Sequence, residues 1–114
     1  LMADLQRQLP GAKILPEISE LPLFLAVLSQ GAVFISGDTG PLHFAAGLGL
    51  PTISLFGPSS PLRWAPVGAR HKVLAAGACH CDGHSAVCQA PRHCLAEISP
   101  QQVFAALQHL FPVR

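Results

Sequence analysis

The run from Phe34 to Pro51 commits this chain to one kind of architecture. It reads as a buried strand, a tight glycine turn, and a helix that begins at the turn. Such a junction aims several backbone N–H groups at one point, where the partial positive charge of the helix start also falls. An anion, a phosphate above all, suits that point. Gly37 and Gly40 are expected to take backbone conformations closed to other residues and to let a ligand come close. The N–H groups of Thr39 and Gly40 form a small cradle, to which the Thr39 hydroxyl adds a donor. Asp38 would repel a phosphate, so its expected role is to tie the turn by accepting backbone N–H bonds. Pro41 is preset for the first helical turn. His43 falls one turn further and shares a face with Gly47, while Leu42, Phe44, Ala45, Ala46 and Leu48 are expected to pack. Glycine turns of this kind also occur without a ligand, and a lone histidine is often packed or solvated, so both readings stay open here.

The flanking sequence repeats the alternation. Leu1 to Leu9 reads as a helix with Met2, Leu5 and Leu9 on one face. Pro10-Gly11 ends it, and Ala12 to Leu15 reads as a short strand. Ser19 caps a helix over Glu20–Gln30 that closes at Gly31. Pro22 sits in its first turn. Being apolar nearly all round, this helix is expected to be deeply packed. Strands follow at Ala32–Ser36, Thr52–Phe56 and Lys72–Ala75. Leu62 to Arg70 reads as a loop containing Trp64. The last helix occupies 99–111: Ser99 caps it, Pro100 opens it, Gln102 completes a capping box, Val103, Leu107 and Leu110 form its buried stripe, and Pro112 stops it. Strands alternating with helices give an α/β fold, a Rossmann-like parallel sheet flanked by helices. Ligands bind beyond the carboxyl ends of such strands, so the turns after Ser36 and Phe56 should share one cleft.

A chain of 114 residues fits one domain. Only 11% of its residues are charged, against about 25% in an ordinary soluble domain. Mean hydropathy is +0.43, although parallel sheets buried on both faces account for part of that excess. The apolar segment Leu21 to Leu28 falls short of the roughly 20 residues that cross a bilayer. A net charge of +1 with scattered basic residues argues against a nucleic-acid partner. The apolar surface predicts a homo-oligomer of the isolated chain. No secretory signal stands at the start, and the expected location is cytoplasmic.

The loop 77–95 has no apolar periodicity and holds Cys79, Cys81, Cys88 and Cys94, with His80, His84 and His93. Four sulfurs this close suit a structural zinc, but the spacing is not that of paired Cys-x-x-Cys knuckles. Two disulfides or four free thiols are the other readings, and all three stay open.

Six stretches together resemble the heptosyltransferase family of glycosyltransferases: Ile14-Leu15-Pro16, Leu25 to Leu28, Phe34 to Ala46, Gly49-Leu50-Pro51, Leu55 to Ser59 and Trp64 to Gly68. The Asp-Thr-Gly-Pro-x-His-x-Ala-Ala string with the later Phe-Gly-Pro-Ser is the most specific part. The likeness spans most of residues 12–110. It implies the C-terminal, donor-binding half of a two-domain glycosyltransferase of lipopolysaccharide core assembly, with an ADP-linked sugar as donor and a lipid-linked sugar acceptor held by the other domain. By that likeness Thr39 and Gly40 contact the donor diphosphate, Pro41 and His43 lie close by and Asp38 shapes the turn; the segment Pro16-Glu17-Ile18-Ser19, with Ile18, borders the adenine pocket, and Gly57, Pro58 and Ser59 line the opposite wall. The basic residue expected to bind phosphate and the acidic residue expected to hold the ribose have no counterparts, since neither Lys13 nor Glu17 fits those roles. The catalytic base belongs to the other domain, so the expectation is that this stretch alone is inactive. No cofactor is required by the mechanism implied. Two other readings compete: a non-catalytic α/β interaction module with a metal-binding Cys/His loop, and a Rossmann-like domain for a different phosphorylated ligand.

Overall fold

Residues 52–56 are small, β-branched or apolar and form a strand hydrogen-bonded on both sides. In the computed structural model, which describes residues 2–76 and 93–112, this strand is the centre of a three-stranded parallel sheet. The strands are β1 (Phe34–Gly37), β2 (Thr52–Phe56) and β3 (His71–Ala75), in the order β1-β2-β3. Phe34 pairs with Thr52 and Gly37 with Leu55; on the other side Thr52 pairs with His71 and Phe56 with Ala75. Parallel neighbours need a crossover, and α3 (Gly40–Gly47) supplies the one between β1 and β2.

The core is small and centred on β2. Ile53 and Phe56 are fully buried there, covered by Leu42 and Ala45 of α3 and by Leu50. Thr52 and Ser54 are buried too, and each finds a partner on β3, because an unpaired hydroxyl there would be costly. The Thr52 hydroxyl lies 2.9 Å from His71 Nδ1, and Ser54 Oγ donates to the Lys72 carbonyl at 3.3 Å.

Two helix ends follow directly from sequence. After α3 the chain enters a left-handed turn at Gly49, whose φ is +82°. Gly49 N–H donates to Ala46 O and Leu50 N–H to Ala45 O, both at 3.0 Å, which satisfies the last carbonyls of the helix. Helix α5 (Pro100–Leu110) begins with the expected capping box. Gln102 N–H donates to Ser99 Oγ at 3.2 Å, and Ser99 N–H donates to Gln102 Oε1 at 2.7 Å. Val103, Leu107 and Leu110 form its half-buried stripe.

Four expectations are corrected. Residues 12–15 form no strand: they meet no ladder partner, Ala12 N–H turns back to Leu9 O at 2.9 Å, and Ile14 and Leu15 are exposed. Helix α2 (Leu21–Leu28) is capped by Glu20 without a side-chain bond, not by Ser19. None of its residues is buried, and Leu21 and Leu23 are 50% and 52% exposed, so the apolar helix is not deeply packed within this chain. It touches α3 through an edge-to-face contact of Phe24 with Phe44, their centroids 6.4 Å apart. Within the stretch read as a loop, Pro61–Trp64 makes a one-turn helix, α4, opened by a proline in its first turn. Helix α1 (Met2–Gln8) has its apolar stripe, but Met2, Leu5 and Leu9 are exposed. Among the described residues no helix is long and apolar enough to cross a membrane.

Gly49→Ala is expected to lower stability by about 1–2 kcal/mol, because a Cβ is disfavoured at a left-handed φ. Ser99→Ala should cost about 1 kcal/mol through loss of the cap. Both are read as a lower urea midpoint at unchanged m-value.

Candidate functional site

Parallel pairing of β1 with β2 places the segments that leave their carboxyl ends side by side. Gly37, Asp38 and Thr39 form one wall of a cleft of about 230 Å³, and Gly57, Pro58 and Ser59 form the other. Leu55 contributes the floor, and His93 and Leu95 close one side. His93 immediately precedes a 3-10 helix, η1 (Cys94–Glu97), and caps it: its Nδ1 accepts a bond from Leu95 N–H at 3.2 Å.

The helix start at this cleft carries unused donors. Thr39 is the N-cap of α3 with extended backbone (φ −144°, ψ 164°), and its side chain makes no capping bond. Leu42 N–H returns to Thr39 O at 3.1 Å. Among the described residues, the N–H groups of Thr39 and Gly40 donate to no protein acceptor. The Thr39 hydroxyl is engaged locally: Ser36 Oγ donates to Gly37 O at 3.0 Å and stands 3.1 Å from Thr39 Oγ1, which leaves Thr39 as donor of that pair. Its lone pairs, not its proton, are therefore available to solvent.

The glycines of the turn do not work as the sequence suggests. Neither Gly37 nor Gly40 has a positive φ. A Cβ on Gly40 would meet nothing within 4 Å, so the residue keeps the space before the helix start open rather than relieving backbone strain. Gly57 is different. A Cβ there would come within 2.9 Å of Cys94 Sγ and 3.0 Å of Leu95 Cγ. The absent side chain at Gly57 lets η1 lie against the β2 turn, which brings His93 and Leu95 to the cleft.

Asp38 does not tie the turn through backbone N–H groups. Its Oδ1 faces His43 Nε2 at 3.9 Å, and the side chains are 21% and 46% exposed. An ion pair forms across this distance when His43 is protonated. Among the sequence-derived candidates, the structure brings Asp38, Thr39, Gly57 and Ser59 to the cleft wall. Gly40, Pro41 and His43 lie in the first turn of α3 beside it, and half-buried Ile18 lies in the segment before α2; none of these four lines the cleft. Sequence reasoning missed His93 and Leu95 as cleft residues. No local pattern marks them, because their place depends on how η1 packs on Gly57.

Cys79, Cys81 and Cys88 lie outside the described residues, while Cys94 is buried beneath Gly57. Among the described residues, no three His, Cys, Asp or Glu side chains stand close enough to hold a metal ion.

The family described as Glycosyltransferase family 9 (heptosyltransferase) matches residues 2–91. Lipopolysaccharide heptosyltransferase 1 of Pseudomonas aeruginosa is 43% identical over 53 residues, which is 46% of this chain and 15% of that relative's length. The match thus spans a small part of the relative. No solved structure matches the chain.

Gly57→Ala is expected to destabilise by about 1–3 kcal/mol through overpacking against Cys94 and Leu95. Thermal melting checks this, and a melting temperature equal to wild type would show that η1 does not pack there.

Proposed function

The chain belongs to glycosyltransferase family 9 (heptosyltransferase), and from that premise we propose that it forms the donor-binding part of a glycosyltransferase of lipopolysaccharide core assembly. The donor is an ADP-linked sugar, with heptose the family's expectation. The acceptor is a lipid-linked sugar held by a part of the enzyme outside this chain.

One observation carries the reading. Two unpartnered amides, those of Thr39 and Gly40, open α3 at the rim of a cleft built from both strand ends. A helix start of this kind favours negative charge by about 0.3–1 kcal/mol from its dipole alone, and hydrogen bonds to the anion add to that. In transfer, an acceptor hydroxyl displaces the nucleotide at the anomeric carbon. The bond from that carbon to the diphosphate oxygen breaks, and negative charge grows on the leaving diphosphate. Fixed amides stabilise that charge more as it grows, which lowers the barrier. The base that takes the acceptor proton belongs elsewhere in the enzyme.

Calorimetric titration of the full 114-residue chain with ADP, UDP and inorganic phosphate tests the proposal. ADP is expected to saturate, with UDP weaker. Gly40→Val is expected to weaken ADP about tenfold by blocking one charge-assisted bond, at unchanged melting temperature because its Cβ enters open space. Undiminished ADP binding in that variant would contradict the proposed place of the diphosphate.

A further inference from the structure

The cleft contains one basic side chain among its described lining residues. His93, which the sequence groups only with the Cys/His loop, comes from the far end of the chain and lines the cleft together with Asp38, Thr39 and Ser59. Its ring is not free to present either nitrogen. Nδ1 accepts the Leu95 N–H at 3.2 Å and thereby begins η1. With Nδ1 an acceptor, the ring proton sits on Nε2. Among the described residues, Nε2 has no protein partner. The place of the residue is fixed from behind as well, since η1 lies against the bare Cα of Gly57.

We propose that His93 is a ligand-binding residue that donates Nε2–H to the diphosphate-class anion held at the amides of Thr39 and Gly40. This inference rests on the donor-site reading above and extends it. The Thr39 amide belongs to the Gly37–Thr39 wall, and the Gly40 amide lies beside it in the first turn of α3, so both donors are on the β1 side of the cleft. Ser59 and His93 line the cleft from other segments, and of these His93 has a tautomer already set by its cap. The arrangement makes anion binding depend on the docking of η1, so that the C-terminal segment helps to complete a site begun by the β1 turn.

Two substitutions separate the donor from the cap. Asn at position 93 keeps an oxygen able to accept from Leu95 N–H, as short amide side chains commonly do two residues on, but it does not reach into the cleft. Gln reaches about as far as imidazole Nε2 with an amide N–H. In calorimetric titration of the full chain, His93→Asn is expected to weaken ADP about tenfold, the scale of one hydrogen bond to a charged group, with wild-type melting temperature. His93→Gln is expected to recover most of that loss. Inorganic pyrophosphate should compete with ADP in the wild type and lose potency in parallel in His93→Asn. ADP binding unchanged in His93→Asn, or equally weak in His93→Gln, would overturn the role of His93 while leaving the donor site standing. Absence of any ADP binding by the wild type would overturn the donor-site reading and this inference with it.

Discussion

The two-sided pairing of β2 positions everything else. Its backbone is hydrogen-bonded to β1 and β3, and four of its five side chains are buried. A slip by one residue would carry every β2 side chain to the opposite face of the sheet and out of the packing it fills there. Thr52 and Ser54 tighten the constraint, since each hydroxyl is satisfied by β3 only in the observed register. Once β2 is fixed, Gly37 and Leu55 lie side by side and the β1 and β2 turns leave the sheet at one edge. The cleft is a consequence of sheet register, and the donors at its rim are a consequence of where α3 starts.

Electrostatics at that edge is a balance of opposed terms. Asp38 brings a full negative charge to a place that otherwise suits an anion. His43 Nε2 stands 3.9 Å from its Oδ1, and both side chains remain partly exposed to screening water. The amides of Thr39 and Gly40 have no such competitor, because nothing in the described protein accepts from them. The Asp38 carboxylate opposes an anion at this edge, and the helix-start amides favour one.

Sequence revealed the parts of this architecture that are set locally. The Ser99–Gln102 capping box, the Gly49 turn and the strand at Thr52–Phe56 depend on residues within a few positions of each other. The cleft between the two turns was also legible, since it follows from parallel topology. Nonlocal packing accounts for the rest. Among the described residues, 12–15 have the composition of a strand but no ladder partner, and α2 has the composition of a core helix but no buried side chain. The apolar stripe of α1 is in the same position. His93 and Leu95 had no signal, because a three-dimensional contact with Gly57 brings them to the site. Gly37 and Gly40 are expected from sequence to take conformations closed to other residues, yet neither has a positive φ; Gly40 opens onto free space, and Gly57 admits a neighbour.

The account stands on main-chain donors gripping an anion, and amide resonances report that contact directly. In a 1H–15N correlation spectrum of the chain titrated with ADP, the Thr39 and Gly40 amides should show the largest downfield proton shifts, saturating together. Saturation of other resonances while those two remain fixed would place the nucleotide elsewhere and contradict the account.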